Sequence, residues 1–242
     1  MLKERIGIGR GTTVLEWLGF TDEGVTAILL TLKVALVGVI ASLPLGIGLA
    51  YLLARGNFWG KSLLDGLIHL PLVLPPVVTG YLLLLAFMPT GPLGAILQDW
   101  FGVSILFRWT GAAVAAAIMG LPLMVRTIRL SIEALDPRLE IAARSLGGSR
   151  WYVFRTITLP LVFSGISAGA VLAFARSLGE FGATITFVSN IPGETQTLPI
   201  AIYSLLQVPG AENRVMHLSI FAILLSLAAL FLSEWFTRRR LL

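Results

Sequence analysis

The chain is 242 residues long, 56% hydrophobic and only 13% charged, about half the charged share of a soluble domain. It has no cysteine, and its two histidines, His69 and His217, stand far apart, which excludes a disulfide framework and a Cys nucleophile and leaves no ligand-like spacing for a metal. The net charge of +5 is carried by basic residues beside apolar runs, which fits membrane topology rather than nucleic acid.

Residues 1–24 read as an extramembrane lead. Ile6 to Phe20 holds too many Gly and polar residues for the apolar stretch of a secretory signal. Residues 25–242 then form one transmembrane domain. A crossing needs about 20 apolar residues. Five stretches qualify: Thr26 to Ala54, Leu63 to Met88 (broken by Pro71 and Pro75-Pro76), Thr110 to Leu130 (with Pro122), Pro160 to Leu178, and Val215 to Phe236. Thr197 to Val208 is too short to cross as a helix and reads as a re-entrant or interfacial segment. The expected fold is therefore all-α and polytopic, with about five transmembrane helices, a short helix in one polar loop, and a re-entrant or interfacial piece before the last span.

Lys and Arg in short loops set the orientation. Arg55, Lys61, Arg126, Arg129, Arg138, Arg144, Arg150, Arg155, Arg238, Arg239 and Arg240 fall on one side. Lys3, Arg5, Arg10, Arg108, Arg176 and Arg214 fall on the other, and Lys33 lies inside the first span. The richer side is expected to be cytoplasmic, with the C-terminus inside and the N-terminus outside.

Prolines inside spans are either kinks tolerated by neighbouring helices or true breaks that let a pathway open. Both readings stand for Pro75-Pro76, which lie at mid-membrane depth and are followed by Thr79 and Gly80; Pro44 and Pro122 read as kinks. Gly111 to Ala117, Ser164-Gly165 and Ala168-Gly169 are small-residue clusters suited to close packing inside the bundle. Asp65 and His69, i and i+4, read as a local pair rather than a proton relay. Arg176 and Glu180 share that spacing at the outer end of the fourth span, where Gly179 and Gly182 favour a chain break and a gate or docking role.

The polar loop 136–151 is the most specific segment. Asp136-Pro137 can start a helix as N-cap and N1, Glu140 is expected to complete the capping arrangement at the positive end of the dipole, and Gly147-Gly148 stops the helix. Ala142, Ala143 and Leu146 form a small apolar face, and Trp151, Tyr152 and Phe154 anchor the following segment at the membrane interface. Pro160 is expected in the first turn of the fourth span. The loop is either an ordinary connection or a knob that docks into a soluble partner.

The run Ala142-Ala143, three residues, Gly147, nine residues, Ile157-Thr158-Leu159-Pro160 resembles the signature of ABC-importer permeases: Glu-Ala-Ala, three residues, Gly, nine residues, Ile-x-Leu-Pro. Ile141 stands where that pattern has Glu, and Glu140 lies one residue earlier. The resemblance implies a permease subunit, not an enzyme, whose coupling helix inserts into a cytoplasmic ATPase through Glu140, Ala142, Ala143, Arg144, Gly147, Ile157, Leu159 and Pro160. It also implies a second copy of this chain, two ATPase subunits and an external binding protein, in a prokaryotic inner membrane. This chain has no G-x-x-x-x-G-K-[ST] loop, so ATP and Mg are expected on the ATPase and no cofactor here.

Phe174 to Tyr203, with the core Arg176-Ser177-Leu178-Gly179-Glu180-Phe181-Gly182-Ala183, is similar to molybdate importer permeases, as is Leu70 to Phe87. Sulfate importer permeases share the Gly-Glu-Phe-Gly core, but the continuation Asn190 to Thr195 looks more like the molybdate type. The cargo implied is molybdate, with its analogue tungstate left open and sulfate or thiosulfate as the alternative. A passive channel would need no coupling loop. A largely neutral pathway is expected, with Pro75, Pro76, Thr79, Ser167, Arg176, Glu180 and Thr184 as gate or pathway candidates.

Overall fold

A computed structural model describes residues 22–238. Most of the expected lead, with Lys3, Arg5 and Arg10, lies outside the described residues, as do Arg239 and Arg240 of the basic tail. The described residues fold as helices without strands. In chain order these are α1 (Asp22–Arg55), α2 (Lys61–Val73), α3 (Pro76–Phe87), α4 (Pro92–Phe101), α5 (Trp109–Glu133), α6 (Pro137–Ser145), α7 (Arg150–Leu161, with a π-helical stretch at Phe154–Thr158), α8 (Phe163–Leu178), α9 (Gly182–Val188), α10 (Leu198–Leu205) and α11 (Glu212–Arg238).

Among the described residues α1, α5 and α11 are each long and apolar enough to cross a bilayer. The pairs α2 with α3 and α7 with α8 reach that length only together, giving up to five crossings. The eight-residue α10 is too short to cross, as expected.

Prolines shape two of the expected spans. In the second, Pro75-Pro76 is a true break rather than a kink, bending α3 from α2 by 115°, whereas Pro71, also expected to break the span, stays inside α2. Pro75 and Pro76 have no N–H, so the carbonyls of Pro71 and Leu72 lose their i+4 donors. Leu74, preceding a proline, is driven to extended backbone at φ −67, ψ 143, and Pro76 then opens α3 at its first turn. The fourth is bent as well: Pro160 lies not in the first turn of α8 but in α7, which bends from α8 by 69°, and only the two together reach bilayer length. Pro160 cannot donate to the carbonyl of Thr156, and just before it Leu159 N–H bonds the Phe154 carbonyl, five residues back. Helices α4 and α9 were not expected from the sequence.

Lipid offers no hydrophobic drive between helices, so association depends on close packing. Gly38 of α1 lies against Ala113 and Ala117 of α5, and Gly46 lies against Leu121 and Met124. The matched increase makes α1 and α5 parallel. Gly120 meets Ala173, and Gly169 meets Met124 and Ile128, so α8 runs antiparallel to α5. Ser177 of α8 adds a hydrogen bond to the Ala116 carbonyl at 3.2 Å, worth about 0.6 kcal/mol in a membrane bundle. The small residues at 111–117 and 168–169 thus serve internal packing. Ile28 clusters with Leu218, and Ala35 with Ala229, so α11 runs parallel to α1. The C-terminal ends of α1, α5 and α11 therefore share one end of the bundle with α6.

Candidate functional site

The loop between α5 and α8 is built as its residues dictate. Asp136 Oδ1 accepts from Arg138 N–H at 2.9 Å and caps α6, with Pro137 at its first position. At the other end Gly148 N–H bonds the Ala143 carbonyl and Gly147 N–H bonds that of Arg144, a Schellman closure. Gly147 holds φ +92, a left-handed value that penalises any side chain. Gly148 is required by space: a Cβ there would sit 2.9 Å from the Ala143 carbonyl oxygen. Ser149 Oγ then accepts from Tyr152 N–H and starts α7.

This construction turns α6 outward. Ile141 is 59% exposed and Leu146 90% exposed, and Ala142, Arg144 and Gly147 are also exposed. Ala143, Ile157 and Leu159 are half-buried, and Pro160 is exposed. Ile141, Arg144, Ser145, Gly148, Ser149 and Arg150 line an open hollow of about 610 Å³. Trp151 stacks on Phe154, which meets Tyr51 of α1 edge-on at 5.0 Å. The aromatic anchor therefore grips α1 as well as facing outward.

Glu140 does not take the role expected of it. Its carboxylate plays no part in the α6 cap. It accepts a 2.7 Å hydrogen bond from the Thr158 hydroxyl and pairs with Arg55 Nε at 3.2 Å, both on the protein side of α6. Arg55 Nη2 also donates to the Leu135 carbonyl at 2.9 Å. From the sequence, Arg55 had counted only toward topology. Its partners lie 80 or more residues away, and no local spacing announces them.

The second locus is where two chain breaks meet. The α2–α3 break and the α8–α9 break pack directly: a Cβ on Gly182 would lie 2.9 Å from Pro76 Cβ, and one on Gly80 would lie 2.5 Å from the Ala183 carbonyl oxygen. Glu180, 3% exposed, holds its break closed from within. One oxygen accepts from Ala183 N–H at 2.9 Å and the other pairs with Arg176 at 2.8 Å. Pro75 and Pro76 are exposed, while Thr79 and Thr184 are buried, and the Thr79 hydroxyl has no hydrogen-bond partner. Pro75, Pro76, Thr79, Arg176, Glu180 and Thr184 thus gather at one place. Ser167 does not: it lies about 20 Å from Glu180 along α8 and donates to the Phe163 carbonyl.

Asp65 and His69 form the expected local pair at 3.3 Å, and Arg129 of α5 joins it by bonding Asp65 at 3.0 Å and Glu133 at 2.7 Å. Lys33 stands 3.6 Å over the Trp109 ring, a cation–π contact between α1 and α5.

Residues 42–241 match the model of a family described as binding-protein-dependent transport system inner membrane component. The chain is 60% identical over 215 residues to the molybdenum transport system permease protein ModB of Haemophilus influenzae, covering 89% of this chain and 94% of that one. It is more distant from the sulfate transport system permease protein CysT of Salmonella typhimurium, at 37% identity over 80% of this chain and 71% of that one. In fold it is similar to a chain of a bacterial alginate ABC transporter solved with alginate pentasaccharide-bound periplasmic protein, with TM-score 0.71, 20% identity, and coverage of 96% of this chain and 84% of that one.

Proposed function

The chain belongs to the binding-protein-dependent transport system inner membrane component family, and we propose that it is the permease subunit of an ATP-driven importer whose cargo is molybdate. The observation that carries this reading is the exposed, rigidly capped α6, standing at one end of a bundle that resembles ABC-transporter permeases. A helix capped at both ends and bearing exposed Ile141 and Leu146 is a preformed knob for a groove on a second protein. The similarity to molybdenum permeases at 60% identity supports the cargo, with sulfate carriers more distant.

In this reading the assembly holds two copies of the chain, two ATPase subunits on the α6 end, and a binding protein at the opposite end that delivers the oxyanion. ATP and Mg sit on the ATPase. The α6 end is cytoplasmic, because Arg55, Lys61, Arg126, Arg129, Arg138, Arg144, Arg150 and Arg155 all lie there, against Arg108, Arg176 and Arg214 at the other end. Closing the ATPase pair drives the two α6 helices together and re-orients the bundle.

The broken pair α2–α3 and the α8–α9 break form the gate, with Pro75, Pro76, Thr79, Arg176, Glu180 and Thr184. Neutrality of this region matters for turnover. An unpaired cation 4 Å from a dianion would hold it by about 8 kcal/mol at an effective dielectric of 20, enough to block release. Arg176 is kept from that role by its pairing with Glu180. Selectivity then rests with the binding protein.

The test is ATP-driven uptake of labelled molybdate by vesicles holding this chain, its ATPase and its binding protein. Uptake that withstands excess sulfate and is lost to tungstate supports a molybdate and tungstate importer. Uptake abolished by sulfate moves the cargo to sulfate. Equal flux without ATP refutes the coupled importer.

A further inference from the structure

We propose that Glu140, Arg55 and Thr158 form an internal strut that carries displacement of α6 into α1 and the base of α8, so that Glu140 acts inside the permease and not on the ATPase. The proposal rests on the permease reading above and assigns positioning roles within it.

Three elements distant in sequence meet on one carboxylate. Glu140 is on α6, Arg55 ends α1, and Thr158 closes the π-helical stretch of α7. The Glu140 side chain is 12% exposed and that of Arg55 18%, whereas Ile141, the next residue on α6, is 59% exposed. Thr158 is fully buried and donates to one carboxylate oxygen at 2.7 Å; Arg55 Nε stands 3.2 Å from the other. Both oxygens are engaged from the inner side, and the side chain is only 12% exposed, so the carboxylate is turned away from the outer surface that Ile141 and Leu146 present.

Arg55 does more than neutralise the charge. Its Nη2 holds the Leu135 carbonyl at 2.9 Å, just before α6 begins, while its Nε faces Glu140 within α6. One guanidinium therefore holds the chain before α6 by a hydrogen bond and α6 itself by charge, since the Nε–H makes no hydrogen bond of its own. Thr158 lies at the junction where a π-helical stretch and a 69° bend precede α8. A π-helical turn is a loosened point in a helix, so a push delivered there bends the chain more readily than one delivered to a regular helix. Force applied to α6 from outside thus has two outlets, the end of α1 and the foot of α8.

The experiment compares Glu140→Ala, Arg55→Ala, Thr158→Val and Thr158→Ser in vesicles with the ATPase and binding protein. Three quantities are read: capture of the ATPase, molybdate imported per ATP hydrolysed, and the rate of trypsin cleavage after Arg144 and Arg150. A merely structural role would lower capture and transport together. The strut predicts capture within about twofold of wild type. It predicts a transport ratio about tenfold lower in Glu140→Ala, Arg55→Ala and Thr158→Val, as expected for losing a charge-assisted, half-buried bond. Thr158→Ser, which keeps the hydroxyl, restores the ratio. A wild-type ratio in Glu140→Ala overturns the proposal. So does loss of capture in Glu140→Ala with capture kept in Arg55→Ala, which would place the carboxylate on the ATPase. If the wild-type chain neither captures an ATPase nor transports, the permease reading fails by itself. The strut is then judged on cleavage, as it is for any variant that does not assemble. Faster cleavage in Glu140→Ala and Thr158→Val than in wild type supports it, and equal rates overturn it.

Discussion

Gly80→Ala adds a single methyl group at the contact between the two chain breaks, and the structure fixes its consequence. The new Cβ would lie 2.5 Å from the Ala183 carbonyl oxygen, 2.9 Å from Ala183 Cα and 2.9 Å from Thr186 Cβ. Two of these atoms are backbone, so no side-chain rotation relieves the clash, and α3 must move off α9 by close to an ångström. Overpacking of this kind costs about 1–3 kcal/mol. The helical gain of alanine over glycine returns about 0.5–1 kcal/mol. The net penalty of about 1–2 kcal/mol shifts the closed arrangement of the breaks against any more open one by roughly tenfold. Gly66→Ala in α2 is the matched control: a Cβ there meets nothing within 4 Å, so only the helical gain remains. Thermal unfolding of the purified chain and ATP-driven uptake are measured for both. Gly80→Ala is expected to unfold several degrees lower and to let molybdate leak without ATP, while Gly66→Ala unfolds at or above the wild-type temperature and stays tight. If both variants unfold and transport like the wild type, the two breaks are not held in contact and the gate assigned to them is wrong.

Other predictions follow from single contacts. At Gly147 the cost is pure backbone strain, because no atom lies within 4 Å of a Cβ there. Uptake should therefore fall in the order Asn, Ala, Val, with Ala costing about 1–2 kcal/mol at the α6 terminus; equal activity in the three would refute the left-handed cap. Gly147→Asp adds charge on the docking face and is expected to uncouple uptake from hydrolysis. Leu146→Asp places a carboxylate on a side chain 90% exposed, so the chain should fold normally yet capture the ATPase poorly, as a pull-down would show. Thr31 is buried, donates to the Ala27 carbonyl at 2.7 Å and accepts from Leu198 N–H at 2.7 Å. Thr31→Val leaves that N–H unpaired at the start of α10 and should cost about 1–2 kcal/mol in thermal stability, which Thr31→Ser recovers.

The sequence was most informative where a property repeats along a helix or is confined to a few neighbouring residues. The long apolar runs of α1, α5 and α11 were legible because length and hydropathy alone decide them. The α6 cap was legible because Asp136-Pro137 and Gly147-Gly148 act through bonds to their own neighbours. Bends were harder. Pro75-Pro76 announced a break, but not its 115° angle, since an angle depends on what the second arm packs against. Here that is α9, a seven-residue helix too short to carry a periodic signal of its own.

Glu140 shows why the site itself was only half legible. Read locally, an acidic residue in the first turn of a helix belongs to the cap or to the dipole. Asp136 already satisfies the cap, so the carboxylate is free to turn the other way, and what it finds there comes from residues 55 and 158. The same logic holds at Glu180: the spacing to Arg176 was visible, but the bond to Ala183 N–H exists only because α9 starts immediately after the break. In both places a carboxylate ties a helix end to a cation. Each tie sits at a discontinuity of the chain, one at the α6 end and one between the two breaks. Rigid helices transmit motion along their axes, so the places where that motion changes direction are the places that must be held. If, as proposed above, a push at the α6 end is converted into an opening elsewhere, the buried carboxylates belong at those joints, and that is where Glu140 and Glu180 stand.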